Sequence, residues 1–356
     1  MRVALLTYST KPRGGVVHTL YLAEAMARLG VDVTVWSLAR AGDRGFFRDV
    51  DPAVTVRLAE FVDHPADTVT DRIVRSIEVL GREFEAGDYD IVHAQDCISA
   101  NAVGTCIRTI HHLDQFTTPV LAECHEKAIV TPYARICVSS AVAAEVRDGW
   151  GLDPVVIPNG VDAQRFIQAS ADIGQQHRWQ AELGKYVLTV GGIEPRKGTL
   201  DLVESYHHLR QHHPELALVI AGGETLFDYR DYRAAFDASC AELGVEPVIL
   251  GAIDDSDLPA LVAGCQVFAF PSTKEGFGLA AMEALAAGRP VVTRDLPVLR
   301  EVFGDTVRFA ADAAGFASEM AAALAVPYDP APGRALATSM TWEAAAQAHL
   351  DFYAKW

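Results

Sequence analysis

The sequence predicts two doubly wound α/β domains, and three observations carry that prediction. A chain of 356 residues, half of them hydrophobic, is long enough to build two ordinary cores rather than one very large one. Short runs rich in Val and Ile alternate with longer helical patterns, and continuous apolar runs such as VALLTY, DIVH and RICVSS suit parallel strands covered on both faces. The alternation also stops and restarts. A strand over 154–157 runs into the polar stretch that extends to Gln180, and a fresh strand begins at Tyr186. Domains are therefore expected over residues 1–165 and 166–340, with a terminal segment over 341–356.

The elements follow in order. Residues 2–8 read as a strand, 16–29 as a helix and 32–38 as the next strand, and the right-handed crossover rule then gives a doubly wound sheet. In the second half LALVIAGG, PVILGAI, QVFAFPS and RPVVTRD read as strands, separated by helices over 200–212, 231–243, 258–264 and 278–287. In open sheets of this kind ligands bind beyond the carboxyl ends of the strands. The strand-to-helix loops are thus expected to carry the chemistry into a cleft between the two domains.

Charge and composition exclude several classes of function. With 30 Lys and Arg against 47 Asp and Glu, the net charge is −17, which repels nucleic-acid backbones and anionic lipid surfaces. Nucleic acid is therefore not an expected partner, and stable membrane insertion is not expected because no apolar run reaches about 20 residues. The opening MRVALLTYSTKPRGG has basic residues after its apolar run, the wrong order for a secretory signal. Six scattered cysteines lack the paired spacing of a zinc site or redox dithiol. Reduced thiols in a cytoplasmic enzyme with no metal and no bound cofactor are the expectation.

Three loops stand out. In FAFPSTKEGFGLAAMEALAAGRPVV a strand ends near Pro271, a Gly-rich turn follows and a helix carries Glu283 among Ala, Leu and Met. A carboxylate there is costly to bury without a strong partner. It either accepts hydrogen bonds from two vicinal hydroxyls, as a ribose presents them, or joins an internal salt bridge. Ahead of it Glu275, Gly276, Phe277, Gly278 and Leu279 form a helix entrance whose N–H groups suit a phosphate or sugar hydroxyl, the glycines serving close approach or turn geometry alone. In VLTVGGIEPRKGTLDLVESY, Gly192 lies in the turn, and Arg196 and Lys197 precede a helix, so two cations and a helix N-terminus can face one pyrophosphate, or form a solvated basic turn. Gly14 and Gly15 form a turn before the first helix, either structural or approaching a substrate; they do not make a G-x-G-x-x-G fingerprint.

These segments resemble the family 4 retaining glycosyltransferases of GT-B fold. The E-x7-E pattern of Glu275 and Glu283, GGIEPRKG, IPNGVD and the Gly14–Gly15 turn occur in that family's order, almost from end to end, and MTWEAAAQAHLDFYAKW resembles its terminal helix, which crosses back to the first domain. The resemblance implies a nucleotide-sugar donor, UDP- or GDP-linked, an acceptor it does not identify, and no metal. It assigns Glu283 to the ribose, Glu275 with the backbone of residues 276–278 to the donor sugar, and Lys197 with Arg196 to the diphosphate. This chain has Gly191–Gly192 where many members carry Gly-Arg, and Arg196 is the cation available to substitute. His111 matches a strand-end T-x-H whose histidine lies near the anomeric carbon, with His112 one residue away. His93 and Asp96 sit where the family's acceptors approach, or cap the next helix; Asn159 and Gly160 shape the interdomain turn. Competing readings are a sugar-nucleotide epimerase or hydrolase on the same frame, a non-catalytic nucleotide-sugar binder and, third, a nicotinamide oxidoreductase.

Overall fold

The computed structural model describes residues 1–40, 42–116, 118–223 and 229–356, and resolves into two compact units, 1–160 with 340–356 and 161–339. The first division falls five residues before the expected one.

In the first unit the strands are β1 (Arg2–Leu6), β2 (Asp32–Arg40), β3 (Thr55–Phe61), β4 (Ile91–Ala94), β5 (Ile107–Ile110), β6 (Ala134–Cys137) and β7 (Val155–Val156). They pair in parallel in the order β3-β2-β1-β4-β5-β6-β7. Five helices connect them: α1 (Gly14–Arg28), α2 (Val69–Glu83), α3 (Cys97–Val103), α4 (Pro119–Val130) and α5 (Ser140–Trp150). β1 is buried on both faces from Val3 to Leu6, as a central parallel strand requires.

The second unit opens with α6 (Ala163–Ala171) and α7 (Ile173–Leu183), then runs β8 (Lys185–Val190), α8 (Thr199–Leu209), β9 (Leu216–Ala221), α9 (Arg230–Leu243), β10 (Val248–Gly251), α10 (Leu258–Gly264), β11 (Val267–Phe270), α11 (Leu279–Ala286), β12 (Val291–Arg294), α12 (Pro297–Phe303), β13 (Arg308–Ala310), α13 (Ala313–Ala325) and α14 (Ala331–Ser339). Its parallel sheet has the order β10-β9-β8-β11-β12-β13. The polar stretch after the PNGVD segment, where the sequence places the domain boundary, is helical. Ala163 and Phe166 on α6 and Trp179 on α7 supply its buried contacts.

α15 (Trp342–Tyr353) returns to the first unit and packs on α1. Trp342 stacks on Tyr21 with ring centroids 5.6 Å apart. Gly160 lets the chain pass beneath, since a Cβ there would lie 2.4 Å from the Trp342 backbone nitrogen. No helix among the described residues is long and apolar enough to cross a membrane, and all six cysteines are free thiols.

Candidate active site

Each sheet reverses its direction of winding at one place: between β1 and β4 in the first unit and between β8 and β11 in the second. Loops leaving the carboxyl ends of those two strands diverge to opposite faces of the sheet, which opens a crevice suited to ligands. Arg196, Lys197 and Glu275 follow the strands of the second place, and Gly14, Gly15 and Asp96 follow those of the first.

In the second unit, β8 leads through a short 3-10 turn (Pro195–Lys197) into α8, and β11 leads through residues 271–278 into α11. The two loops are zipped together, with Thr273 N–H donating to the Arg196 carbonyl at 2.8 Å. Gly198 adopts φ +62°, and a Cβ on it would stand 2.2 Å from the Pro271 carbonyl oxygen, so only glycine serves there. Lys197 donates to Glu275 Oε1 at 2.5 Å and Arg196 Nη1 donates to the same oxygen at 3.1 Å. Arg196 Nη2 also reaches Glu194 Oε1 at 3.1 Å. Burial lowers the pKa of Lys197, opposed by Glu275 and aided by Arg196. The stem of Lys197 lies over Gly191, where a Cβ would meet its Cδ at 3.2 Å. Gly192 packs below, against Gly222.

Thus Arg196, Lys197 and Glu275 do converge. Glu194, buried at 7% exposure, is a fourth member that the sequence reading missed; a lone Glu ahead of Pro-Arg-Lys carries no signal of its own. Phe277 is buried and Gly278, at φ +95°, caps α11 against the Phe303 ring. Leu279 opens that helix with no side-chain cap and no acidic residue in its first turn.

Glu283, one turn on, has different neighbours. Burial pushes its carboxyl up to about 8, Arg165 pulls it down, and Asp255 and Asp162 push it up again. Arg165 is itself paired with Asp255 at 2.8 Å. Burial thus favours the protonated form of Glu283. Asp162 is the last residue of the IPNGVD segment, so that motif ends beside Glu283 in the second unit.

In the first unit, Gly14 and Gly15 are the first turn of α1 itself rather than a preceding turn, and that turn has neither a side-chain cap nor an acidic residue. His111 follows β5 and packs on it: a Cβ on Gly15 would lie 3.5 Å from His111 Cδ2. Its Nε2 is buried without a partner, and burial, then His112 and Arg108, lower its pKa well below the ordinary value. His112 pairs instead with Asp114, at 3.3 Å. His18, absent from the sequence reading, packs edge-on to His111 with centroids 4.7 Å apart and bonds Asn159 Oδ1 at 2.9 Å. Asn159 is thereby a support for His18.

The two residues expected near the acceptor have partners within the fold. His93 is fully buried, with Nδ1 bonded to the Tyr353 hydroxyl at 2.6 Å and Nε2 to Thr109 Oγ1 at 2.7 Å, so one ring nitrogen ties it to α15 and the other to β5. Asp96 caps α3, accepting from Ser99 N–H at 2.8 Å and from Tyr8 N–H at 2.9 Å. Its polar partners are spent on the fold, the capping alternative that its strand-end position offered. Among the described residues no group of His, Cys, Asp or Glu side chains is arranged to hold a metal ion.

Comparison with known proteins bears on what these two clusters do. Residues 12–165 match the family described as Glycosyltransferase Family 4, and residues 175–325 match Glycosyl transferases group 1. The chain is 30% identical over 328 residues to the phosphatidyl-myo-inositol mannosyltransferase of Mycobacterium leprae, covering 86% of this chain and 81% of that one. It is 28% identical over 344 residues to the D-inositol 3-phosphate glycosyltransferase of Corynebacterium aurimucosum, covering 82% and 79%. Among solved structures, the fold is similar to Anabaena HepE in complex with UDP and glucose, at TM-score 0.75 and 18% identity over the whole of both chains. It is likewise similar to sucrose-phosphate synthase from Thermosynechococcus elongatus, at TM-score 0.79 and 20% identity, covering 99% of this chain and 98% of that one.

Proposed function

We propose a reaction from one premise: the chain belongs to glycosyltransferase family 4 and has the GT-B fold. It moves a hexosyl group from a nucleoside diphosphate sugar to an acceptor hydroxyl, with retention of configuration at the anomeric carbon. One observation carries this reading, the convergence of Arg196, Lys197 and Glu275 where the second sheet reverses its winding. HepE in complex with UDP-glucose supports a nucleotide-sugar donor, and the relatives named as mannosyltransferases support a hexose. Two relatives are named for inositol acceptors, so a polyhydroxylated ring heads the acceptors to be tested.

In this reading the two cations receive the diphosphate. Lys197 is held in a site that disfavours its charge, and a dianionic neighbour relieves that cost, so the ammonium stabilises negative charge most when the bond to the leaving phosphate stretches. Glu275 and the uncapped N–H groups at the start of α11 hold the donor sugar's hydroxyls, and Glu283 accepts from the ribose. The acceptor oxygen bonds to the anomeric carbon on the face from which the diphosphate departs. Its proton passes to the departing phosphate oxygen, so no protein nucleophile is consumed. His111 lines the reacting side of the first unit. Neither step calls on a metal.

The test combines a thermal-shift screen of UDP and GDP with product analysis. A stabilising nucleoside diphosphate and a product of the donor's own anomeric configuration support the reading. Inverted product overturns the retaining mechanism, and isomerised or hydrolysed donor, with no transfer to any acceptor offered, overturns transfer itself.

A further inference from the structure

A second concave site lies at the opposite end of the second sheet. Gln266 and Pro290, at the amino ends of β11 and β12, border a cavity of about 380 Å³, whereas Arg196, Lys197 and Glu275 follow the carboxyl ends. Arg289, Arg334 and Tyr328 line it, with Leu324, Val326 and Pro330 forming an apolar rim.

The two arginines are only partly used by the protein. Arg289 donates from Nη1 to the Cys265 carbonyl at 3.3 Å, and its Nε is buried with no partner. Arg334 donates from Nε to the Ala286 carbonyl at 3.3 Å and from Nη2 to Ser170 Oγ at 2.7 Å. Its guanidinium rests against Gly288, where a Cβ would lie 2.7 Å from Nη2. Neither arginine has a carboxylate within ion-pair distance among the described residues. In a chain of net charge −17, two guanidiniums gathered on one cavity without a counter-ion are unexpected. Tyr328 lines the same cavity; burial and then Asp329 raise its phenol, while Arg334 and Arg289 lower it. The carboxylate of Asp329, beside Tyr328, is exposed and accepts the Ala331 N–H at 3.0 Å.

A guanidinium offers five donors in a planar fork, and two forks with a phenol match the oxygens of a tetrahedral dianion better than a single carboxylate. We propose that Arg289, Arg334 and Tyr328 form a binding site for a small phosphate monoester, whose carbon body lies along the apolar rim. Because Arg334 holds the last carbonyl of α11, that of Ala286, and α11 carries Glu283, occupancy would reach the donor side through one helix.

The probes are inorganic phosphate and glucose 6-phosphate, titrated calorimetrically into the full chain at constant ionic strength. Saturable binding is expected, tighter for the ester, weakened at least tenfold by Arg289→Gln, and retained in Lys197→Ala. Val326 is 54% exposed, so Val326→Glu sets a carboxylate at the rim without disturbing the core, and it should abolish binding in a protein of unchanged melting temperature. Binding that survives both Arg289→Gln and Val326→Glu, or disappears in Lys197→Ala, overturns the site. Equal affinity for phosphate and ester overturns the ester, and no saturable binding of either overturns the proposal.

Discussion

Glu283→Gln should stabilise the protein in alkaline solution, a result that runs against the usual effect of changing a buried residue. The native carboxyl is raised from its ordinary 4.5 to about 8. A carboxyl whose native pKa lies above its unfolded value favours folding below the unfolded value, and that advantage drains away as pH rises toward the native one. At about 1.4 kcal/mol per pH unit, the gap corresponds to about 5 kcal/mol lost between pH 4.5 and pH 8. Glutamine, neutral at every pH, does not lose it. Urea unfolding of the two proteins at pH 5 and pH 9 isolates the effect, because every other titrating group cancels in the difference. The variant's advantage should grow by about 3–5 kcal/mol between the two conditions. An advantage that stays constant within about 1 kcal/mol would mean that the carboxyl is solvated, and the reasoning from its burial would fail. In exchange, the variant should raise the Michaelis constant for the donor.

The same residue couples binding to protons: if ribose hydroxyls bond the ionised form, a nucleoside diphosphate bound at pH 7 should release close to one proton, seen by calorimetry in buffers of different ionisation enthalpy, and no release would remove Glu283 from the ribose. Lys197→Ala and Glu275→Ala should each lower turnover by about 10²–10³ while changing nucleotide affinity much less; near-normal turnover in steady-state kinetics refutes the assignment. In the first unit, burial takes His349 from 6.5 down to about 4, and His18, His93 and His111 are lowered by the same cause. A histidine held neutral stabilises the native state above its unfolded pKa and loses that contribution as pH falls toward the native one, so docking of α15 should weaken between pH 6.5 and 4, and His349→Met should shrink that acid loss in a thermal scan. Gly198→Ala forces a Cβ onto Pro271 in a backbone conformation that alanine resists, and should cost about 2 kcal/mol or more; a melting temperature equal to the parent's would contradict the close approach.

Much of this was legible in the sequence because it is written locally. The alternation of Val- and Ile-rich runs with helical patterns announces both parallel sheets, and strand-Gly-helix punctuation marks the loops that carry Arg196, Lys197 and Glu275. What escaped depends on contacts distant in the chain. α6 and α7 bury little more than Ala163, Phe166 and Trp179, too few apolar positions to reveal a helical period. Gly14 and Gly15 read as a turn because glycine weakens a helix interior, yet the first turn tolerates them. His18 pairs with Asn159 across 141 positions, and no spacing rule reaches that far. His93 looked chemical because it sits where the acceptors of the resembling family approach; its partner Tyr353 lies 260 residues on, and only that hydroxyl reveals a packing role.

The return of α15 sets an order of events during synthesis. The ribosome must make all of 161–339 before the helix that covers His18 and His93 exists, roughly 10–40 s at about 5–20 residues per second. For that interval the first sheet has its strands, but His18 and His93 lack the α15 contacts that cover them. The intervening unit has its helices and strands in one continuous stretch, so it is free to fold before the first unit gains its returning helix.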